Sequence, residues 1–247
     1  VLPYFQRAMN TERAHPGDGQ QGPLWVSEVP HDPLSDAFVA AAGQCGVAAT
    51  ADFNGGDNSG AGYFRMNTRH GQRMSTERAY LRDAMKRPNL QVISGAQVMR
   101  ILMQGQRAQG VTWLQNGQSH SLHARHEVVL CAGAIQSPQL LQLSGIGPSA
   151  LLAQHQIATI ADLPGVGENL QDHLRVRPSF RCEGVETLND VANSRWRSAR
   201  DFLRYQLTRT GSLATGVYRA GAFLSVDNAQ QPDWPNVQIH FGLVSFD

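Results

Sequence analysis

Apolar and polar positions follow three rhythms along this chain. The first is helical. After Asp32-Pro33, residues Leu34, Ala37, Phe38, Ala41 and Ala42 recur at the spacing of one helix face. Asp32 is suited to cap that helix, Pro33 to open it, and Gly46 to end it. A second helix is expected over 75–86, with Ser75 as its cap and Ala79, Tyr80, Leu81 and Met85 as its packing surface. Pro88 prevents its continuation. The second rhythm alternates: 90–93, 97–102, 111–114 and 119–124 read as short strands. Asn116-Gly117 marks a two-residue hairpin, because both turn positions need positive φ.

The third rhythm is an unbroken apolar run. Val128-Val129-Leu130 suits a strand covered on both faces, as in a parallel sheet, and places Cys131 in a buried position at its end. Ala132-Gly133-Ala134 then turns the chain, and Ser137-Pro138 opens a helix that closes at Ser144-Gly145. Pro164-Gly165-Val166-Gly167 is a tight loop. Beyond it come a helix over 194–208 and strands over 219–226 and 237–244. The expected fold class is therefore α/β in the middle of the chain and α+β, with an antiparallel sheet, around it.

Composition narrows the function classes. The 247 residues are 41% hydrophobic and 17% charged, as in an ordinary globular protein. With 21 basic and 20 acidic side chains the net charge is +1, which argues against a nucleic-acid partner. The run Arg195, Arg197, Arg200, Arg204 and Arg209 is interleaved with Trp196, Phe202, Tyr205 and Leu207, and a solvated helix face accounts for it. Cys45, Cys131 and Cys182 have no metal-ligand spacing, and their odd number disfavours a disulfide framework. No apolar run approaches the roughly 20 residues that cross a bilayer. The opening residues show no signal-peptide pattern and read as mid-protein sequence. Asp172-His173 lacks the Gly-x-Ser-x-Gly elbow that would make it part of a triad.

The chemistry concentrates between Gly133 and Gly147. Gly133 lets the backbone approach a bound group, and the helix start beyond it offers free amides and a favourable dipole to polar or anionic ligand atoms. Taken only that far, packing alone is the better account of such a turn. The full stretch, Gly133-Ala134-Ile135-Gln136-Ser137-Pro138-Gln139-Leu140-Leu141-Gln142-Leu143-Ser144-Gly145-Ile146-Gly147, resembles the second signature of the glucose-methanol-choline oxidoreductases at every specified position. The phrases at 1–5, 52–55, 75–81 and 165–173 resemble that family in the same order, so the resemblance spans essentially the whole chain.

That resemblance implies part of an FAD-binding, Rossmann-like domain joined to an antiparallel-sheet substrate domain. It assigns 1–23 to a connecting segment, 24–68 and 174–247 to the substrate domain, and 69–173 to the middle of the FAD-binding domain. It places the backbone of Val98 against the adenine of FAD and Ala132, Gly133 and Ala134 under the adenosine. It makes His240 a substrate-cavity residue and Phe246 an aromatic wall. Arg219 stands where choline-type members carry a carboxylate. A guanidinium there repels a quaternary ammonium, so the expected parent enzyme does not prefer choline.

The resemblance implies oxidation of a primary alcohol to an aldehyde by hydride transfer to flavin, with oxygen or a membrane quinone as electron acceptor. No metal is implied. The dinucleotide fingerprint and the catalytic His are expected outside this sequence, since Gly17 and Gly19 sit in a polar loop and no Gly-x-Gly-x-x-Gly occurs. No catalytic residue is then expected within the chain, which alone should be inactive. A lyase of the same fold that uses flavin structurally, and a folded non-catalytic fragment, are the alternatives. A cytoplasmic or membrane-associated location is expected, as is self-association of the chain through the uncovered edge at 128–130.

Overall fold

The structure, a computed structural model, describes residues 1–226 and 234–245. The chain opens with α1 (Leu2–Ala8), β1 (Met9–Thr11), β2 (Leu24–Val26), α2 (Pro33–Gln44) and β3 (Gly60–Tyr63). The short hairpin β4 (Thr68–Arg69) and β5 (Gln72–Arg73) follows, then a π-helical turn (Glu77–Leu81) that continues as α3 (Arg82–Ala84). Next come β6 (Gln97–Gln104), β7 (Arg107–Gln115), β8 (Gln118–His123), α4 (Gly133–Leu143), β9 (Ile146–Gly147), α5 (Ser149–Gln154) and β10 (Ala161–Asp162). The chain then runs through α6 (Leu188–Ala192), α7 (Arg195–Thr208), a 3-10 turn (Ser212–Ala214), β11 (Tyr218–Leu224) and β12 (Val237–Gly242).

Two compact units divide these elements: 1–90 together with 178–247, and 91–177. Residues 69–90 therefore belong with the first unit, whereas the sequence reading began its flavin-side segment at 69. Local contacts explain the difference. The Met74 amide donates to the Asn67 carbonyl at 2.8 Å, and the Arg69 guanidinium lies 4.7 Å from the centre of the Trp25 ring of β2.

The first unit is organised by an antiparallel sheet in the order β12-β11-β3, with α2 packed on one face. Asp32 caps α2 as expected: one carboxylate oxygen accepts from the Ser35 amide at 2.9 Å, the other from the Ser35 hydroxyl at 2.7 Å. Gly46, at φ +84°, follows the helix end. The face that α2 buries is Leu34, Ser35, Phe38, Val39 and Ala42, whereas Ala37 and Ala41 stay exposed. The expected face was about one position out of phase. At the sheet centre Ala61, Ala220 and Ala222 are almost fully buried. Gly62 and Gly221 pair across it, and a Cβ on Gly221 would collide with the Phe64 ring and the Ile239 carbonyl.

The second unit centres on a β6-β7-β8 meander. Asn116 and Gly117 make its second turn at φ +51° and +77°, as the hairpin chemistry requires. Helix α4 packs on β6, and Ser144 at its C-terminal end fixes the contact. The Ser144 hydroxyl accepts from the Ile101 amide at 2.8 Å and donates to the Leu140 carbonyl at 2.5 Å, with all three residues buried. Gly145 turns the chain at φ +83°, and its carbonyl accepts from the Ile160 amide at 2.7 Å.

Three expectations fail here. Among the described residues, neither 90–93 nor 128–130 joins a ladder; Val129 is 73% exposed and Cys131 is exposed as well. A strand exists through its partners, and no described segment pairs with either run. Helix α4 begins at Gly133 rather than at Ser137-Pro138. The Ser137 hydroxyl reaches back to accept from the Ala132 amide at 3.1 Å, so it closes the entry turn from inside the helix.

Candidate functional site

The residues expected at a site fall into the two units, and each group has its own geometry. In the second unit, Gly133 has φ +86°, a conformation that favours glycine, and a Cβ built on it would meet nothing within 4 Å. The turn 132–134 therefore faces open space. The first amides of α4 follow it, and a helix leaves such amides without intrahelical partners. Val98 lies on β6, the outer strand of its sheet, directly before a register shift between Val98 and Arg100. An outer strand keeps half of its backbone donors and acceptors free for a ligand edge. An open glycine turn, helix amides and an outer strand are each places where main-chain groups are available to a ligand.

In the first unit, the β11–β12 ladder slips around Arg219. Tyr218 pairs with Gly242 and Ala220 with Phe241, which leaves Arg219 as the extra residue of a bulge. Phe241 stacks on Phe38 of α2 with ring centroids 4.8 Å apart, marking that face of the sheet as the helix side. Arg219 turns the same way: its Nη1 lies 3.6 Å from Asp32 Oδ2 at the head of α2. His240, one residue before Phe241, takes the opposite face. There its ring meets Phe64 at 5.4 Å and Tyr218 at 5.8 Å.

The structure thus separates Arg219 from His240. The guanidinium is buried beside the Asp32 carboxylate, so the two residues expected to share a substrate cavity lie on opposite faces of the sheet. Phe246, the expected aromatic wall, lies outside the described residues. Asp32 was read only as a helix cap, and Phe64 and Tyr218 were not singled out at all. Their roles depend on strand register, which no local pattern displays.

Electrostatics around the helix head are dense. Tyr63 stacks on His31 at 4.1 Å and donates to Asp36 at 2.7 Å. Burial, together with the Asp36 and Asp32 carboxylates, pushes the Tyr63 phenol up to about 12. The hydrogen bonds from Tyr63 and His31 hold the Asp36 carboxyl below its ordinary value. Two residues after Tyr63, Arg65 bridges Asp18 and Asp52, each at 2.6 Å.

Comparison with known proteins gives the class. The GMC oxidoreductase family model matches residues 1–175, and the chain belongs to that family. Among curated proteins, the oxygen-dependent choline dehydrogenases of Burkholderia ambifaria and Burkholderia multivorans are each 42% identical over 245 residues, or 97% of this chain and 43% of theirs. Among solved structures, an FAD-dependent oxidoreductase from Chaetomium thermophilum has a TM-score of 0.79 at 25% identity, covering 91% of this chain and 42% of that one. A pyridoxine 4-oxidase from Mesorbium loti has a TM-score of 0.65 at 33% identity, covering 70% and 34%. The chain spans 43% of the length of these curated relatives.

Proposed function

We propose that this chain is the part of an FAD-dependent oxidoreductase that holds the adenosine half of the cofactor and one sheet of the substrate domain. The whole protein oxidises a primary alcohol to an aldehyde. Such an oxidation removes the hydroxyl proton and a hydride from the alcohol. Bound FAD supplies the hydride acceptor. The observation that carries this reading is the turn at Gly133, open to space and anchored through Ser144 on β6, within a stretch that carries the family signature.

In this reading the main chain of Val98 and of Ala132, Gly133 and Ala134 contacts the adenosine, and positions rather than reacts. His240, ringed by Phe64 and Tyr218, contributes an aromatic wall on the substrate side. With Arg219 turned to the helix side, a cationic alcohol is compatible with that wall, since aromatic faces attract ammonium groups. Electron delivery to oxygen or a membrane quinone, a cytoplasmic or membrane-associated location, and self-association of the 247-residue chain through exposed apolar side chains such as Val129 belong to the same proposal.

The test is anaerobic reduction of the full-length protein. Flavin absorbance should bleach on addition of a primary alcohol under nitrogen, with the aldehyde formed in equal amount. Cofactor that stays oxidised while substrate is cleaved would overturn the reading in favour of a lyase. Gly133→Val should weaken FAD retention by about tenfold or more, because it forces φ out of the left-handed region and fills the open space.

A further inference from the structure

Each residue of a β-strand turns its N–H and C=O to one side of the strand, and the side alternates from residue to residue. In the second unit three contacts fix that alternation. The Ala124 amide donates to the Gln109 carbonyl at 2.7 Å, so Gln109 turns toward β8. The β7–β8 register then runs unbroken from Gly110–His123 to Gln115–Gln118, so Val111 and Trp113 turn toward β8 as well. Ile101 stands opposite Val111, which leaves its peptide turned away from β7, and its amide donates outward to the Ser144 hydroxyl at 2.8 Å.

Met99 is the extra residue of a bulge between Val98 and Arg100. Beyond it Val98 stands opposite Trp113, so its own N–H and C=O turn to the outer edge of β6. Among the described residues no group outside the sheet bonds to either of them. Ile101 and Val98 are thus neighbouring outward positions on one edge: Ser144 takes the first, and the second is open. A bulge interrupts the ladder, so β7 holds the strand less firmly at this point. The nearest fixed point is the Ser144 hydroxyl, which is buried and also donates to the Leu140 carbonyl of α4 at 2.5 Å.

We propose that Ser144 is a positioning residue of the cofactor site, holding the β6 edge so that the Val98 N–H and C=O select adenine over hypoxanthine. This rests on the flavin function proposed above and deepens it to the choice of base. One peptide edge offers a donor and an acceptor. Adenine answers with N1, which accepts, and with its N6 amino group, which donates. Hypoxanthine reverses both: its N1 carries a hydrogen and its O6 accepts. The same pose then sets donor against donor and acceptor against acceptor. Ser144 acts through the strand and not by contact with the base.

The experiment strips the full-length protein of flavin and follows flavin fluorescence as FAD, or FAD with hypoxanthine in place of adenine, is added back. Wild type should bind FAD about tenfold or more tighter than the analogue. Ser144→Ala should bring that ratio close to one, whereas a loss of stability alone weakens both flavins alike. Val98→Pro removes an amide that the ladder does not use, so it should leave the fold intact and lower the ratio in the same way. A wild type that holds both flavins equally, or a ratio unchanged in Ser144→Ala, would overturn the proposal and leave the flavin function standing. Unfolding by Val98→Pro would overturn it too, since an outward amide is not needed by the sheet. Uptake of neither flavin would sink the flavin function and this proposal with it. Should Ser144→Ala not fold, Ser144→Cys, of similar size and a weaker acceptor, makes the same comparison.

Discussion

Arg65 and Arg219 stand in the same unit, one just after β3 and the other on its neighbour β11, and their surroundings differ sharply. Their side chains are 8% and 10% exposed. Arg65 makes two charged hydrogen bonds of 2.6 Å, to Asp18 and Asp52, and ties the polar loop after β1 to the segment before β3. Among the described residues, Arg219 makes one loose ion pair and keeps an unmatched Nε. Equal burial therefore does not mean equal function. A guanidinium whose donors are matched by two carboxylates is a structural clamp, whereas one with a buried unmatched donor carries part of its desolvation cost uncompensated.

The comparison breaks most readily at Arg65. Arg65→Met should cost about 3–5 kcal/mol, since it strands two buried aspartates. Urea unfolding of the chain measures this, and a loss under about 1 kcal/mol would remove the clamp from the argument. The same clamp predicts an acid limb. Burial alone would raise the Asp18 carboxyl, but the His15 amide and Arg65 outweigh it and hold the group below its ordinary value. A carboxylate depressed in the native state adds stability above its unfolded value of about 3.9 and loses it as pH falls through the lower native value. The urea midpoint should therefore drop steeply below about pH 4 in the wild type. In Arg65→Met that drop should be shallower.

A second substitution extends the same logic to the other unit. Ser144→Ala leaves the buried Ile101 amide without its acceptor and should cost about 1–3 kcal/mol. Because the bond joins α4 to β6, amide exchange at Ile101 should quicken as stability falls. Unchanged protection there would mean that α4 is held by its apolar contacts alone. The smallest effect is expected at Arg219. Arg219→Met replaces an under-satisfied charge with an apolar chain of similar length and should lie within about 1 kcal/mol of wild type. A cost equal to that of Arg65→Met would erase the difference between the two arginines.

How much of this was legible beforehand depended on the range of the interaction. The Asp32 cap with Pro33, the Gly46 stop and the Asn116-Gly117 hairpin follow from the conformational chemistry of a few adjacent residues, and the structure shows each of them. The stretch from Gly133 to Gly147 carried the family likeness without any knowledge of packing. Its internal logic was only half visible: Ser137 looked like a helix start, yet it closes the turn from within a helix that begins at Gly133.

Strand pairing marks the limit. The apolar run 128–130 has the composition of a covered strand, but a strand needs partners, and composition cannot summon them. At β11 the alternation of residues would have set Arg219 on the same face as His240. A single bulge reverses that, because one extra residue in the ladder carries the side chain to the helix side, where Asp32 waits. Caps, turns and the signature were therefore determined by the sequence itself, through backbone preferences that act over a few residues. Which face Arg219 takes, and what it meets there, was decided only by the tertiary structure, since ladder register is a property of two segments far apart in the chain.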